Sequence, residues 1–169
     1  MVTEMDNVII RGARLEDVAP LALSMRESDR LEVLASHGMN PVEMLRFSLQ
    51  ASILAFTAEY REYPVAMFGI STDSFVGDRA AVWLLTGEVV SSLPITFVKV
   101  SRRVVSRFLE LYPVLENWVD ARYVKSLRWL ERIGAHIDPP APYGAEGLPF
   151  HHIVFRSEGR NGPWGDLLL

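Results

Sequence analysis

The order in which hydrophobic periodicities change along this 169-residue chain predicts a mixed α/β (α+β) domain, with helices layered on a partly antiparallel sheet. Three observations carry the prediction. Short β-type runs alternate with segments of helical period. Two of the runs lie close enough to pair as a hairpin. The unbroken apolar run at 80–85 reads as a central strand buried on both faces.

Residues 8–11 (Val-Ile-Ile-Arg) form the first strand. Glu16 and Asp17 then fall in the opening turn of a helix, at the positive end of its dipole, and Val18, Leu21 and Met25 recur along one side. A second helix spans about 28–36, with Leu31, Leu34 and Ala35 on a shared face and Gly38 as a left-handed cap. Asn40 before Pro41 reads as an N-cap with proline at the first helical position. The helix it opens runs to about Gln50 and turns Met44, Leu45 and Leu49 inward.

Residues 52–60 and 64–70 are β-rich and flank a polar turn at Arg61 and Glu62, which predicts the hairpin. A loop at 71–79 leads to the central strand. The clearest helix begins after Pro94 and stops before Pro113, with Phe97, Val100, Val104, Phe108 and Leu111 as its apolar stripe. A strand at 114–119 and a helix at 122–133 follow; Val124, Leu127, Leu130 and Ile133 face inward, and Gly134 closes the helix. Strands are expected at 135–137 and 150–155, with a Pro- and Gly-rich loop at 138–149. Residues 1–156 make one domain, and 157–169 form a tail of loop composition.

Composition narrows the function classes. Hydrophobic residues at 49% and charged residues at 22% exclude wholesale disorder. A net charge of −4 argues against a protein living mainly on nucleic-acid phosphates. The absence of cysteine removes disulfides, thiolate nucleophiles and Cys-based zinc sites. The acidic, polar start is unlike a secretory signal, and no stretch approaches the ~20 clean apolar residues of a membrane helix. A soluble protein made in the cytoplasm is expected.

One block sharpens the fold. The run Val119-Asp-Ala-Arg-Tyr-Val-Lys-Ser-Leu-Arg-Trp-Leu-Glu-Arg-Ile-Gly-Ala135 resembles the last conserved block of the GNAT acetyltransferases. More narrowly, the chain resembles the small GNAT-like internal virion proteins of short-tailed phages. The features shared are Met25-Arg-Glu-Ser-Asp-Arg30 with Glu32-Val33, Pro64-Val-Ala-Met-Phe-Gly69, Trp83-Leu-Leu-Thr86 and Arg128-Trp-Leu-Glu-Arg-Ile-Gly-Ala135. The resemblance spans about residues 6–156.

It implies a splayed sheet whose V-shaped gap takes acetyl-coenzyme A, with the pantetheine against the strand ending near Thr86. It also implies a diphosphate on a glycine-rich turn at a helix N-terminus, where side chains would keep the backbone from the phosphates. By position, Leu85, Thr86, Gly87 and Tyr123 are the coenzyme-binding candidates. This sequence departs from the pattern: Gly87 is the only glycine of 86–97 and precedes the turn, Glu88 brings a negative charge, Tyr123 replaces the usual Asn, and Leu130 replaces a Tyr that protonates the leaving thiolate.

The resemblance therefore implies a degenerate GNAT scaffold in a phage virion, synthesised in the host cytoplasm, without a cofactor, and meeting other virion proteins such as portal, tail or core components. The alternative is an acetyl-CoA-dependent N-acetyltransferase acting on a host or phage amine.

Other chemistry is thinner. Glu59, Asp73 and Glu88 are candidates for a general base, Glu88 the best placed; each also reads as a solvated or structural carboxylate. Adjacent His151 and His152 point to opposite faces of a strand, and with His37 and His136 they show no metal-ligand spacing. Lys99, Arg102, Arg103 and Arg107 share a helical face, either a solvated surface or one for an acidic partner or packaged DNA. Trp164 and the three closing leucines either fray or anchor the tail in a partner.

Overall fold

A computed structural model describes residues 8–72 and 77–157 together with the backbone of 3–5. Its elements are β1 (Thr3–Met5), β2 (Val8–Gly12), α1 (Val18–Ser24), α2 (Glu27–His37), α3 (Pro41–Ala51), β3 (Leu54–Tyr60) and β4 (Tyr63–Ser71). They continue with β5 (Arg79–Thr86), α4 (Pro94–Leu111), β6 (Val114–Asp120), α5 (Val124–Arg132), β7 (His136–Tyr143) and β8 (Leu148–Arg156). The strands form one sheet in the order β1-β2-β3-β4-β5-β6-β8-β7. Every neighbouring pair is antiparallel except β5 with β6.

Strand alternation gives the sheet two apolar faces. Met67, Trp83 and Leu85 pack with Leu21 and Leu45 under α1–α3. Ala66, Phe68, Ile70 and Leu115 pack on the other face with Val104 and Phe108 of α4 and Leu130 of α5. Helix termini follow the local signals. Asn40 accepts from the Glu43 N–H at 3.0 Å while Glu43 accepts from the Asn40 N–H at 2.9 Å, a reciprocal capping box ahead of Pro41. Gly38 ends α2 at φ +66°, where a Cβ is unfavourable.

Several expectations need correction. The stretch 138–149 is strand on both sides of a turn, since β7 runs through Pro139, Pro140 and Pro142. Proline is tolerated because, among the described residues, β7 is an edge strand with β8 as its only neighbour, and the ladder slips between Ile137 and Pro140. The first helix is interrupted: Leu15–Asp17 is a 3₁₀ turn and α1 begins only at Val18. Leu31, Leu34, Leu111 and Val124 are exposed; of the expected α2 face Ala35 is buried, and Val33 is buried beside it. In a short helix the burying face is chosen by the neighbouring elements, and several registers fit the same apolar pattern.

Candidate functional site

The one parallel pair creates the site. β5 and β6 are in register from Arg79/Val114 to Ala81/Glu116, and beyond that the two strands part. Val82 to Thr86 and Asn117 to Asp120 thus form the two arms of a V. Residues of a strand direct N–H and C=O to alternate sides, so Val82, Leu84 and Thr86 address the gap. The Asn117 amide bridges its narrow end by donating to Val82 O at 2.6 Å.

Helix α2 spans the wide end. Asp29 and Glu32, three apart, lie on one helical face. The Asp29 carboxylate accepts from the Thr86 N–H and Oγ1, both at 2.8 Å, and its other oxygen accepts from Arg26 Nη2 at 2.8 Å. The Arg26 N–H donates to Thr86 O at 3.0 Å, so the end of β5 is fully bonded to the start of α2. Glu32 reaches the other arm, accepting the Asp120 N–H at 3.2 Å. Asp120 is itself fully buried and held by Arg122 Nη2 at 2.6 Å. One helix face therefore sets the width of the V.

The surroundings act on Glu32. Desolvation is the main effect, and with the neighbouring Asp29 and Asp120 carboxylates it outweighs the Asp120 N–H and Arg26, pushing the carboxyl up to about 8. Tyr123 stands at the first turn of α5 within the field of Glu32 and Asp120, and burial first of all raises its phenol above its ordinary value.

A cleft of about 540 Å³ passes through the gap. Arg26, Asp29, Glu32 and Trp118 line one mouth. On the other side Leu84, Val100, Val104, Trp129 and Leu130 form its walls. Phe97 and Trp129 stack at 4.8 Å between ring centroids, joining α4 to α5 beside it. Trp129 Nε1 is buried and, among the described residues, donates to no protein atom.

A thioester arm and a diphosphate make different demands on such a cleft. The arm fits: Leu84 offers strand N–H and C=O to the gap, and Trp129 Nε1 is a buried donor of the kind an amide carbonyl satisfies. No glycine cradle serves the diphosphate. A 3₁₀ turn, Glu88–Ser92, follows β5, and α4 opens on Leu93 and Pro94 without a side-chain cap.

The residues singled out from sequence fall in different places. Leu85 is core on the α1–α3 side, and Thr86 addresses the gap but is bonded by Asp29. Gly87 is closely packed: a Cβ there would lie 3.0 Å from Ser24 Oγ and 3.3 Å from Ser24 O. Glu88 is exposed on the 3₁₀ turn. Glu59 is bound to Arg11, which also pairs with the buried Asp17; Asp73 lies outside the described residues. Lys99, Arg103 and Arg107 are exposed, whereas Arg102 is half-buried and donates to Arg132 O at 2.9 Å, so the basic face is divided. His152 lies between Asp138 Oδ2 at 2.9 Å and Glu116 Oε2 at 3.2 Å, and the His151 ring lies 2.7 Å from Asp138 O, on the opposite face. Trp164 lies outside the described residues.

Asp29 and Glu32 were not among the predicted site residues. Their spacing of three in Glu27-Ser-Asp-Arg-Leu-Glu32 was the available signal, but only the fold shows that this face meets two strand ends.

No protein-family model and no curated protein matches the sequence. Solved structures do. A GNAT-family acetyltransferase from Bacillus anthracis superposes with a TM-score of 0.67 at 11% identity, covering 92% of this chain and 98% of that one. A ribosomal-protein-S5-alanine acetyltransferase from Vibrio fischeri gives 0.66 at 12% identity, covering 94% and 98%. AAC(6')-Ib, solved with ribostamycin and coenzyme A, gives 0.65 at 16% identity, covering 90% and 94%. At such identities a likeness of shape establishes the fold alone: this chain has the fold of the GNAT acetyltransferases.

Proposed function

We propose that the chain is an N-acyltransferase that moves an acyl group from a CoA-type thioester to an amine, with acetyl-CoA as the donor that the fold suggests. The observation that carries this reading is Glu32, a carboxyl with raised pKa at the mouth of a strand gap able to hold an extended arm. A bound acyl thioester supplies the electrophilic carbonyl. Asp29 draws a cationic amine to that mouth, and Glu32, in the fraction that is ionised, removes one of its protons, a task suited to a base whose pKa lies near the working pH. The nitrogen then bonds to the carbonyl carbon, the C–S bond breaks, and the proton the nitrogen sheds on becoming an amide goes to the departing thiolate. Tyr123, whose phenol burial holds above its ordinary value, lies just beyond that end of β6.

The test combines acetyl-CoA calorimetry with thiol release over a panel of amines. Micromolar binding and amine-dependent release of free CoA are expected. No heat at millimolar coenzyme would sink the reading.

A second reading is favoured by the bonding of Thr86 to Asp29 and Arg26 and by the missing glycine cradle. In it the fold serves as a binding scaffold among the proteins of a short-tailed phage virion, without turnover. Co-purification with virions by a chain inert toward every amine would favour it.

A further inference from the structure

From the gap, one branch of the cleft runs beneath α4 toward β3 and β4. Ala58, Ala66 and Phe68 line it from the sheet, and Val104 and Phe108 from the helix. All five of these side chains are apolar. Its far end is a trio of rings: Phe56, Phe68 and Phe108 lie 5.8 to 6.4 Å apart between centroids. Beyond the trio a separate pocket of about 210 Å³ begins, lined by Phe56, Leu54 and Ile10 and, on the α4 side, by Arg107 and Glu110.

Protein interiors pack as densely as organic crystals, so a volume that core side chains leave open is a feature to be explained. An acetyl group would need almost none of it. We infer that the acyl group this site accepts is an unbranched hydrocarbon chain of medium length, lying under α4 with its end against the Phe56–Phe68–Phe108 trio. A methylene takes up about as much room as a water molecule, roughly 30 Å³. The cleft then has space for on the order of 18 such groups. With only the thioester end of the arm and the amine in the gap, about half of that space remains, room for a chain of roughly eight to ten carbons.

This inference rests on the transferase reading and names the donor it prefers. The transfer balances as before: Glu32 takes one proton of the ammonium, the nitrogen bonds to the carbonyl carbon of the medium-chain thioester, the C–S bond breaks, and the nitrogen's second proton goes to the departing sulfur as free thiol. Burial of each methylene strengthens binding about fourfold, so the preference over acetyl is large.

The experiment is titration of the protein with acetyl-CoA, decanoyl-CoA and decanoate, read by tryptophan fluorescence from Trp129 and Trp83 in the cleft wall and by calorimetry. Decanoyl-CoA is expected to bind at least about 100-fold more tightly than acetyl-CoA. Val104→Phe, which fills the branch, and independently Val100→Phe are expected to reduce that ratio below about tenfold. Equal affinities for the two thioesters, or a ratio indifferent to both variants, would overturn the inference. Binding of decanoate with no binding of either thioester would instead refute the transferase reading while upholding the hydrocarbon site. Failure of all three ligands to bind would remove both.

Discussion

Replacing Glu32 by Gln tests the site most directly, because glutamine keeps an oxygen for the Asp120 N–H and removes the titrating group. In the folded protein the carboxyl titrates near 8, against an ordinary 4.5. The folded state therefore holds this proton more tightly than the unfolded chain does. Stability from this group is complete below about pH 4.5, declines as pH rises toward 8, and is level above that. The full difference corresponds to on the order of 5 kcal/mol. Glu32 is only half-buried as a residue, and its remaining solvent contact reduces this to roughly 2–3 kcal/mol.

The assay is urea unfolding of wild type and E32Q at pH 5, 7 and 9. Subtracting one protein from the other cancels the other titrating groups. Wild type is expected to lose about 2–3 kcal/mol relative to E32Q between pH 5 and 9. The same variant is expected to transfer acyl groups about 10²–10⁴-fold more slowly, and the wild-type rate should climb as pH passes through 8. Parallel stability curves would show that burial does not perturb the carboxyl. An undiminished rate in E32Q would show that it is not the base.

Two further outcomes follow from the same geometry. Asp29→Ala leaves the Thr86 N–H and hydroxyl, both in a fully buried residue, without their acceptor, and should cost about 3 kcal/mol in chemical denaturation; a change below about 1 kcal/mol would mean that water replaces the carboxylate. Gly144→Ala should cost more than about 2 kcal/mol and loosen the β7–β8 turn, since φ is +76° there and a Cβ would sit 2.6 Å from Ser36 Cα. That turn donates from the Ala145 and Glu146 N–H groups to Ser36 O and Ala35 O at the end of α2, so hydrogen exchange at those two amides reports the undocking.

Local chemistry determined a good deal of this molecule from sequence. The Asn40-Pro41 start, the Gly38 and Gly134 stops, the 61–62 hairpin turn and the amphipathic run after Pro94 each depend on interactions within a few residues. So does the strand at 80–85, read from its unbroken apolar run, although its burial is one-sided: Ala81 is exposed, and Val82 and Leu84 are half-buried where they face the gap. Those local rules, taken in order, were enough to imply the layered architecture.

Tertiary structure decided the rest. Whether Pro139, Pro140 and Pro142 form loop or strand depends on whether a second neighbour demands their missing N–H groups, and at a sheet edge none does. Which helix residues are buried depends on the partner face, so Leu31 and Val124 lie exposed despite fitting the apolar pattern. Above all, the candidate site joins Asp29 and Glu32 to Thr86 and Asp120, residues 57 and 88 positions away along the chain. No local propensity encodes such a meeting. It arises because a single parallel pair parts after Ala81 and Glu116, and α2 lies across the opening.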